Sequence, residues 1–230
     1  MRSDPFSGDA RAVNRPIGIL CALPEELGGL RAYARSTRTR AGLEIHALEI
    51  AGQPALACVA GIGKVLAARA AALLVAEGAE RALLVVGTCG GLRAPLRLGS
   101  LVHCTVAAQV DSAQRHLREL RADEALRRAW QKVLPGAEGW FLTADRPVLS
   151  LWRRLRLARA FAGPCVAEME TAAAAVVAVS AGVPWAALRA VTDHAALGAG
   201  ASFRIHFGAQ ASRAADSIPA LLEELERAGA

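Results

Sequence analysis

Lysine is nearly missing from this sequence: Lys64 and Lys132 are the only two, and the net charge of +6 at pH 7 rests on arginine. Aromatic residues make up only 4%. That is too few to interleave a basic surface with stacking platforms for nucleic-acid bases, and no zinc-finger or RNA-binding signature accompanies the arginines. The arginine clusters at 31–40, 115–128 and 146–159 alternate with Leu and Ala, which predicts solvated helix faces. Nucleic-acid binding is the rival reading, and salt-sensitive affinity for DNA or RNA would support it. The five cysteines, Cys21, Cys58, Cys89, Cys104 and Cys165, are odd in number and form no CxxC pair. This argues against a zinc site and a disulfide framework. No apolar run approaches the roughly 18 to 20 residues that cross a bilayer. Met1 to Arg15 lacks the apolar stretch of a secretory leader, so 1–15 is expected to be a flexible tail and the chain cytoplasmic.

What is present is ample material for a core: 53% of residues are hydrophobic and 21% charged. The apolar residues come in short runs. Pro16–Ala22, Leu43–Ile50, Ala55–Val59, Ala82–Val86, Ser100–Ala107, Trp140–Thr143 and Trp185–Thr192 read as strands. Between them, helices are predicted to open at Pro24 and to cover 64–77, 123–133, 149–161 and 169–181, with a closing helix over 207–227. Alternation with fully apolar strands predicts an α/β fold, a three-layer α/β/α sandwich around a central mixed sheet, as a single catalytic domain over 16–230. Ligands of such sheets sit where strand ends meet loops.

Three of those loops carry chemistry. Gly87-Thr88-Cys89-Gly90-Gly91 follows an apolar strand, where glycines permit a sharp turn and close approach to a ligand. It matches neither the dinucleotide nor the Walker pattern. In Glu168-Met169-Glu170, Glu170 is expected in the first turn of a helix, where the dipole favours a carboxylate. In Arg189-Ala190-Val191-Thr192-Asp193, Asp193 emerges as a buried strand leaves the sheet, a position suited to proton donation and equally to a turn cap.

Together with Ile17-Gly18-Ile19 followed by Glu26, and with Ala60-Gly61-Ile62-Gly63-Lys64-Val65, these motifs resemble the purine nucleoside phosphorylase and nucleosidase superfamily. The resemblance is closest to its methylthioadenosine/S-adenosylhomocysteine nucleosidases and runs from Ile17 to the C-terminal helix. It implies cleavage of the N-glycosidic bond of a purine nucleoside, with Asp193 protonating the departing base and Glu26 deprotonating the attacking water. Glu170 would bind the ribose hydroxyls and Met169 would pack on the sugar. Thr88, Cys89 and Gly90 would line the site, and Ile62 and Phe203, the latter ten residues after Asp193, would form its apolar walls. Arg189 would organise the carboxylates, and Lys64 is given no catalytic part. The resemblance further implies no metal or organic cofactor and a homo-oligomer, a homodimer for a hydrolase.

Water is favoured over phosphate as the nucleophile, because Glu25 and Glu26 occupy the loop where the phosphorylases hold an anion. Phosphorolysis stays open through the Thr88-Cys89 wording. The segment between Gly91 and Glu168 is short for the family, and Pro147 stands where the nucleosidases place a phenylalanine. Asp145 is a candidate for base recognition. The 5′ group is therefore undecided among methylthioadenosine, S-adenosylhomocysteine, futalosine-type and adenosyl-lipid substrates. A non-catalytic nucleoside-binding relative is the reading from a different class.

Overall fold

The computed structural model describes residues 15–93, 95–114, 119–195 and 199–229. The apolar runs become strands buried on both faces, as a sheet covered by helices requires. In chain order these are β1 (Ile17–Cys21), β2 (Ala34–Arg40), β3 (Leu43–Ile50), β4 (Gln53–Val59), β5 (Ala82–Gly91), β6 (Leu101–Gln109), β7 (Leu120–Arg121), β8 (Ala137–Thr143), β9 (Cys165–Glu168) and β10 (Trp185–Asp193). The α-helices are α1 (Lys64–Ala76), α2 (Glu124–Val133), α3 (Leu151–Ala160), α4 (Thr171–Ala181), α5 (Ala199–Gln210) and α6 (Ile218–Gly229), and a 3₁₀ segment spans Pro24–Tyr33.

One mixed sheet joins all the strands, and its middle strand is β5. Residues 82–85 of β5 run parallel to β1, residues 83–90 pair with β10, and Gly90 and Gly91 turn to pair antiparallel with β9. Because β10 continues through β6 and β8 back to β9, these strands close a ring beside the open wing of β1, β4, β3 and β2. On one face α1 and α4 pack together through small residues, Ala67, Ala70 and Ala71 against Ala172 to Ala175 and Ala178. Alanine lets two helix backbones approach each other and the sheet at once, so burial there comes from proximity rather than from large side chains. The other face is covered by the 3₁₀ segment, α2 and α6, with Leu27, Leu30, Trp130, Leu221 and Leu222 in the core.

The expected α/β architecture stands, with several local differences. The arginines at 34–40 lie on the exposed edge strand β2 and not on a helix face. Their alternation with Ser and Thr suits a strand, and Arg35, Arg38 and Arg40 pair with Glu49 and Glu77. Charge along an edge strand also discourages pairing with other chains. The strand expected to stop at Val86 runs on to Gly91, because the glycines are ladder residues rather than a turn. The single closing helix expected over 207–227 is two helices, α5 and α6, joined through a short 3₁₀ turn at Ala215–Ser217. Most of the tail expected over 1–15 lies outside the described residues; Arg15 meets Glu80 at 2.9 Å. No helix among the described residues is long and apolar enough to cross a membrane.

Candidate active site

The ends of β1, β5, β9 and β10 open into one cavity of about 370 Å³. Ten of the residues singled out from the sequence line it: Glu26, Ile62, Thr88, Cys89, Gly90, Met169, Glu170, Arg189, Asp193 and Phe203. Leu23, Glu168, Thr192 and residues 146–149, with Pro147 and Val148 among them, also line it. Asp145 is not in the lining. Its carboxylate lies on Lys64, 3.2 Å away, so the structure does not bring it to the base position expected for it.

Glu26 leaves the first turn of the 3₁₀ segment and is only 2% exposed. One oxygen accepts the backbone N–H groups of Ala22 and Leu23, each at 3.0 Å. The other accepts the N–H of Thr88 at 2.9 Å and its hydroxyl at 3.0 Å. A carboxylate offers about four lone-pair directions, so this one is fully engaged. The Thr88 hydroxyl is the one donor of the four that can rotate away and leave a place for water. Gly87 makes the approach possible, because a Cβ there would lie 2.7 Å from the Glu26 oxygen.

Asp193 is held the same way from the other strand. Its Oδ1 accepts the N–H of Ala195 at 2.7 Å, and its Oδ2 accepts the Thr192 hydroxyl at 3.2 Å. The register of β10 against β5 shifts between Val191 and Asp193, so that Thr192 is passed over and Asp193 pairs with Gly90. A Cβ on Gly90 would sit 2.8 Å from Oδ1. The glycine motif thus serves the two carboxylates as empty space.

The third carboxylate, Glu170, immediately precedes α4 and does not occupy its first turn. Its Oε1 accepts the Gly63 N–H at 2.8 Å, and its Oε2 lies 3.1 Å from the Arg189 guanidinium. Burial pushes the Glu170 carboxyl above its ordinary value, opposed by Arg189 and reinforced by Glu168. The helix-start role belongs instead to Glu168, which accepts the N–H groups of Glu170 and Thr171 at 2.8 and 2.7 Å. It also accepts the Thr143 hydroxyl, and it pairs with Arg189 at 3.1 Å. Arg189 is 2% exposed, bridges both glutamates and donates to the Thr88 carbonyl at 2.8 Å. Although burial works against the cation, the surrounding carboxylates keep it charged. Sequence reasoning does not single out Glu168 as a site residue. The available signal is the pairing of two acids two residues apart across a strand-to-helix junction, where one can cap the helix and the other face the cavity.

Phe203 reaches the cavity from α5, stacked on Phe207 with ring centroids 4.7 Å apart. The hydroxyl of Ser202 beside it donates to the Thr192 carbonyl at 3.1 Å and ties α5 to the strand of Asp193. Met169 is partly buried, whereas Ile62 is 53% exposed at the rim. Cys89 is buried, and desolvation pushes its thiol well up, which leaves it a poor nucleophile. No group of His, Cys, Asp and Glu among the described residues could hold a metal ion.

A family model described as the phosphorylase superfamily matches residues 16–226. Among curated relatives, the 5′-methylthioadenosine/S-adenosylhomocysteine nucleosidase of Shewanella sediminis is 28% identical over 228 residues, covering 91% of this chain and 99% of that one. The nucleosidase of the same name from Geobacillus kaustophilus is 29% identical, with coverage of 91% and 97%. Among solved structures, a Streptococcus pyogenes S-adenosylhomocysteine nucleosidase bound to 5-methylthiotubericidin superposes with a TM-score of 0.86 at 24% identity, covering 92% of this chain and 98% of that one. The futalosine hydrolase of Helicobacter pylori superposes with a TM-score of 0.85 at 23% identity, covering 94% and 100%.

Proposed function

Because the chain belongs to the phosphorylase superfamily, we propose that it is a purine nucleosidase that hydrolyses the N-glycosidic bond of a 5′-modified adenosine such as methylthioadenosine or S-adenosylhomocysteine. The observation that carries this reading is the convergence of Glu26, Glu170 and Asp193 on one cavity, each carboxylate fixed by backbone donors.

Breaking the C–N bond leaves positive charge on the ribose and negative charge on the base. Asp193 gives its proton to the purine ring nitrogen, so the base departs neutral. Glu170 accepts from the ribose hydroxyls, and those hydrogen bonds strengthen as the sugar becomes an oxocarbenium ion. Water enters beside Glu26 as the Thr88 hydroxyl turns. Its oxygen bonds to the anomeric carbon and its proton passes to the Glu26 carboxylate. Proton loss at Asp193 and proton gain at Glu26 balance over the turnover.

Water is the better nucleophile here. Arg189 is already spent on two glutamates, and an incoming phosphate would face the carboxylates of Glu26 and Glu170. The names of the curated relatives support hydrolysis as well. No metal or organic cofactor has a part in these steps. The same reading makes the enzyme a cytoplasmic homodimer, and the five unpaired, buried cysteines support a reducing compartment.

The test is release of free purine base from methylthioadenosine and S-adenosylhomocysteine, measured with and without phosphate. Release without phosphate is expected. A strict phosphate requirement would make the protein a phosphorylase. Asp193→Asn should lower turnover by about 10²- to 10⁴-fold, the usual worth of general acid catalysis, and unchanged turnover would remove Asp193 from the chemistry. The futalosine hydrolase likeness makes a futalosine-type nucleoside the second substrate class to assay.

A further inference from the structure

Lys64 is the first residue of α1, where a cation opposes the helix dipole and gains nothing from the helix. Its side chain is nonetheless only 15% exposed, with the ammonium 2.7 Å from Asp111 and 3.2 Å from Asp145. Asp111 follows β6, and its second oxygen accepts the N–H of Asp145, just beyond β8, at 2.7 Å. Three segments far apart in sequence are therefore tied at one point.

Two of these segments run directly into the lining of the cavity. On one side of Lys64, Ile62 lines the cavity and the Gly63 N–H holds Glu170 at 2.8 Å. Immediately after Asp145, residues 146–149 form another part of its wall. None of the clasp's three side chains lines the cavity. Their bonds are to one another and to backbone, so any effect on substrate acts through the spacing of the walls. As a stability element the clasp is weak, because partly exposed ion pairs contribute little. As a positioning element it is well placed, since a displacement of about 1 Å can cost an active site about a hundredfold.

We propose that Lys64 is a positioning residue: with Asp111 and Asp145 it clamps the 61–63 loop to the 145–149 loop and so sets the width of the nucleoside cavity. The inference rests on the nucleosidase reading, with the clamp itself measurable apart from activity.

Three variants and two readouts test it: steady-state purine release, and amide hydrogen exchange of the segments 61–66 and 144–149. Lys64→Met should raise KM about tenfold while kcat stays within about twofold, the signature of lost ground-state and transition-state binding together. It should also speed exchange in both segments, with the thermal midpoint lowered by no more than about a few degrees. Asp111→Ala should reproduce both changes, and Lys64→Arg, which keeps the charge, should recover most of the KM. An unchanged KM in Lys64→Met, faster exchange in one segment only or in neither, or no recovery with arginine would each overturn the proposal. If the unaltered protein releases no purine at all, the nucleosidase reading fails, and the exchange data still decide whether the clamp exists.

Discussion

Arg189 shows what one buried side chain can do for a site. Its guanidinium lies between Glu168 and Glu170, each at 3.1 Å, with all three residues nearly inaccessible to water. Two carboxylates facing one cation leave Glu170 under-compensated, and burial raises its pKa. A raised carboxyl value means the folded state holds its proton more tightly than the unfolded chain. The stabilising contribution is complete below the unfolded value and is lost as pH rises through the folded one. Glu170 therefore weighs on the fold at neutral pH. Glu170→Gln should gain thermal stability relative to the unaltered protein as pH is raised from about 5 to about 8. Purine release should fall between about tenfold and a hundredfold, the range for a hydrogen bond to a charged group. Melting curves at both pH values check the first half. A stability difference that shrinks with rising pH would contradict a raised Glu170 pKa. Glu168→Gln should behave differently, because its carboxylate caps α4 as well as pairing with Arg189.

Among the elements, the parallel pairing of β5 and β10 does most to create the site. The two strands pair from Leu83–Trp185 to Gly90–Asp193, and the irregularity after Val191 delivers Asp193 to the cavity. Gly90 lies opposite, where a methyl group would meet Asp193 Oδ1 at 2.8 Å and Ala195 Cβ at 3.0 Å. Gly90→Ala should therefore push Asp193 off its backbone donor at Ala195, lowering turnover by about a hundredfold and costing about 1–3 kcal/mol from overpacking. Paired activity and denaturant-unfolding measurements check this. Full activity in Gly90→Ala would show that the pairing has slack that the contact distances deny. The run of apolar residues from Ala82 to Val86 announces a buried strand. Its extension through Gly91 is hidden in the sequence, because glycine weakens strand propensity and only close approach of a neighbour explains it.

Across the protein as a whole, the cysteines report on packing. All five are free and buried. Burial pushes the Cys58 thiol up to about 11 and raises the other four as well. Because the thiolate is the reactive form, none of the five should react with an aromatic disulfide reagent at about pH 8 in the native protein, and all should react once denaturant is added. Rapid reaction of a native thiol would mean that the sheet opens locally.

The fold class is readable because strand and helix periodicities are local, and because short apolar runs without alternation, bounded by turn residues, suit strands covered on both sides. Glu26, Glu170 and Asp193 are readable from motif order and from their positions at strand or helix ends. Other features depend on partners distant in the chain. The arginines of 34–40 could belong to a solvated helix or a charged edge strand, and only pairing with β3 selects the strand. The same holds for the fully engaged carboxylate of Glu26, 62 residues from its Thr88 donor, and for the Lys64 clasp, whose aspartates lie 47 and 81 residues away. Local propensity sets which segments are strands and which residues can ionise. The register of β5 against β10 and the meeting of loop ends set which charges face each other, and that geometry makes the glycines of 87–91 a space for two carboxylates.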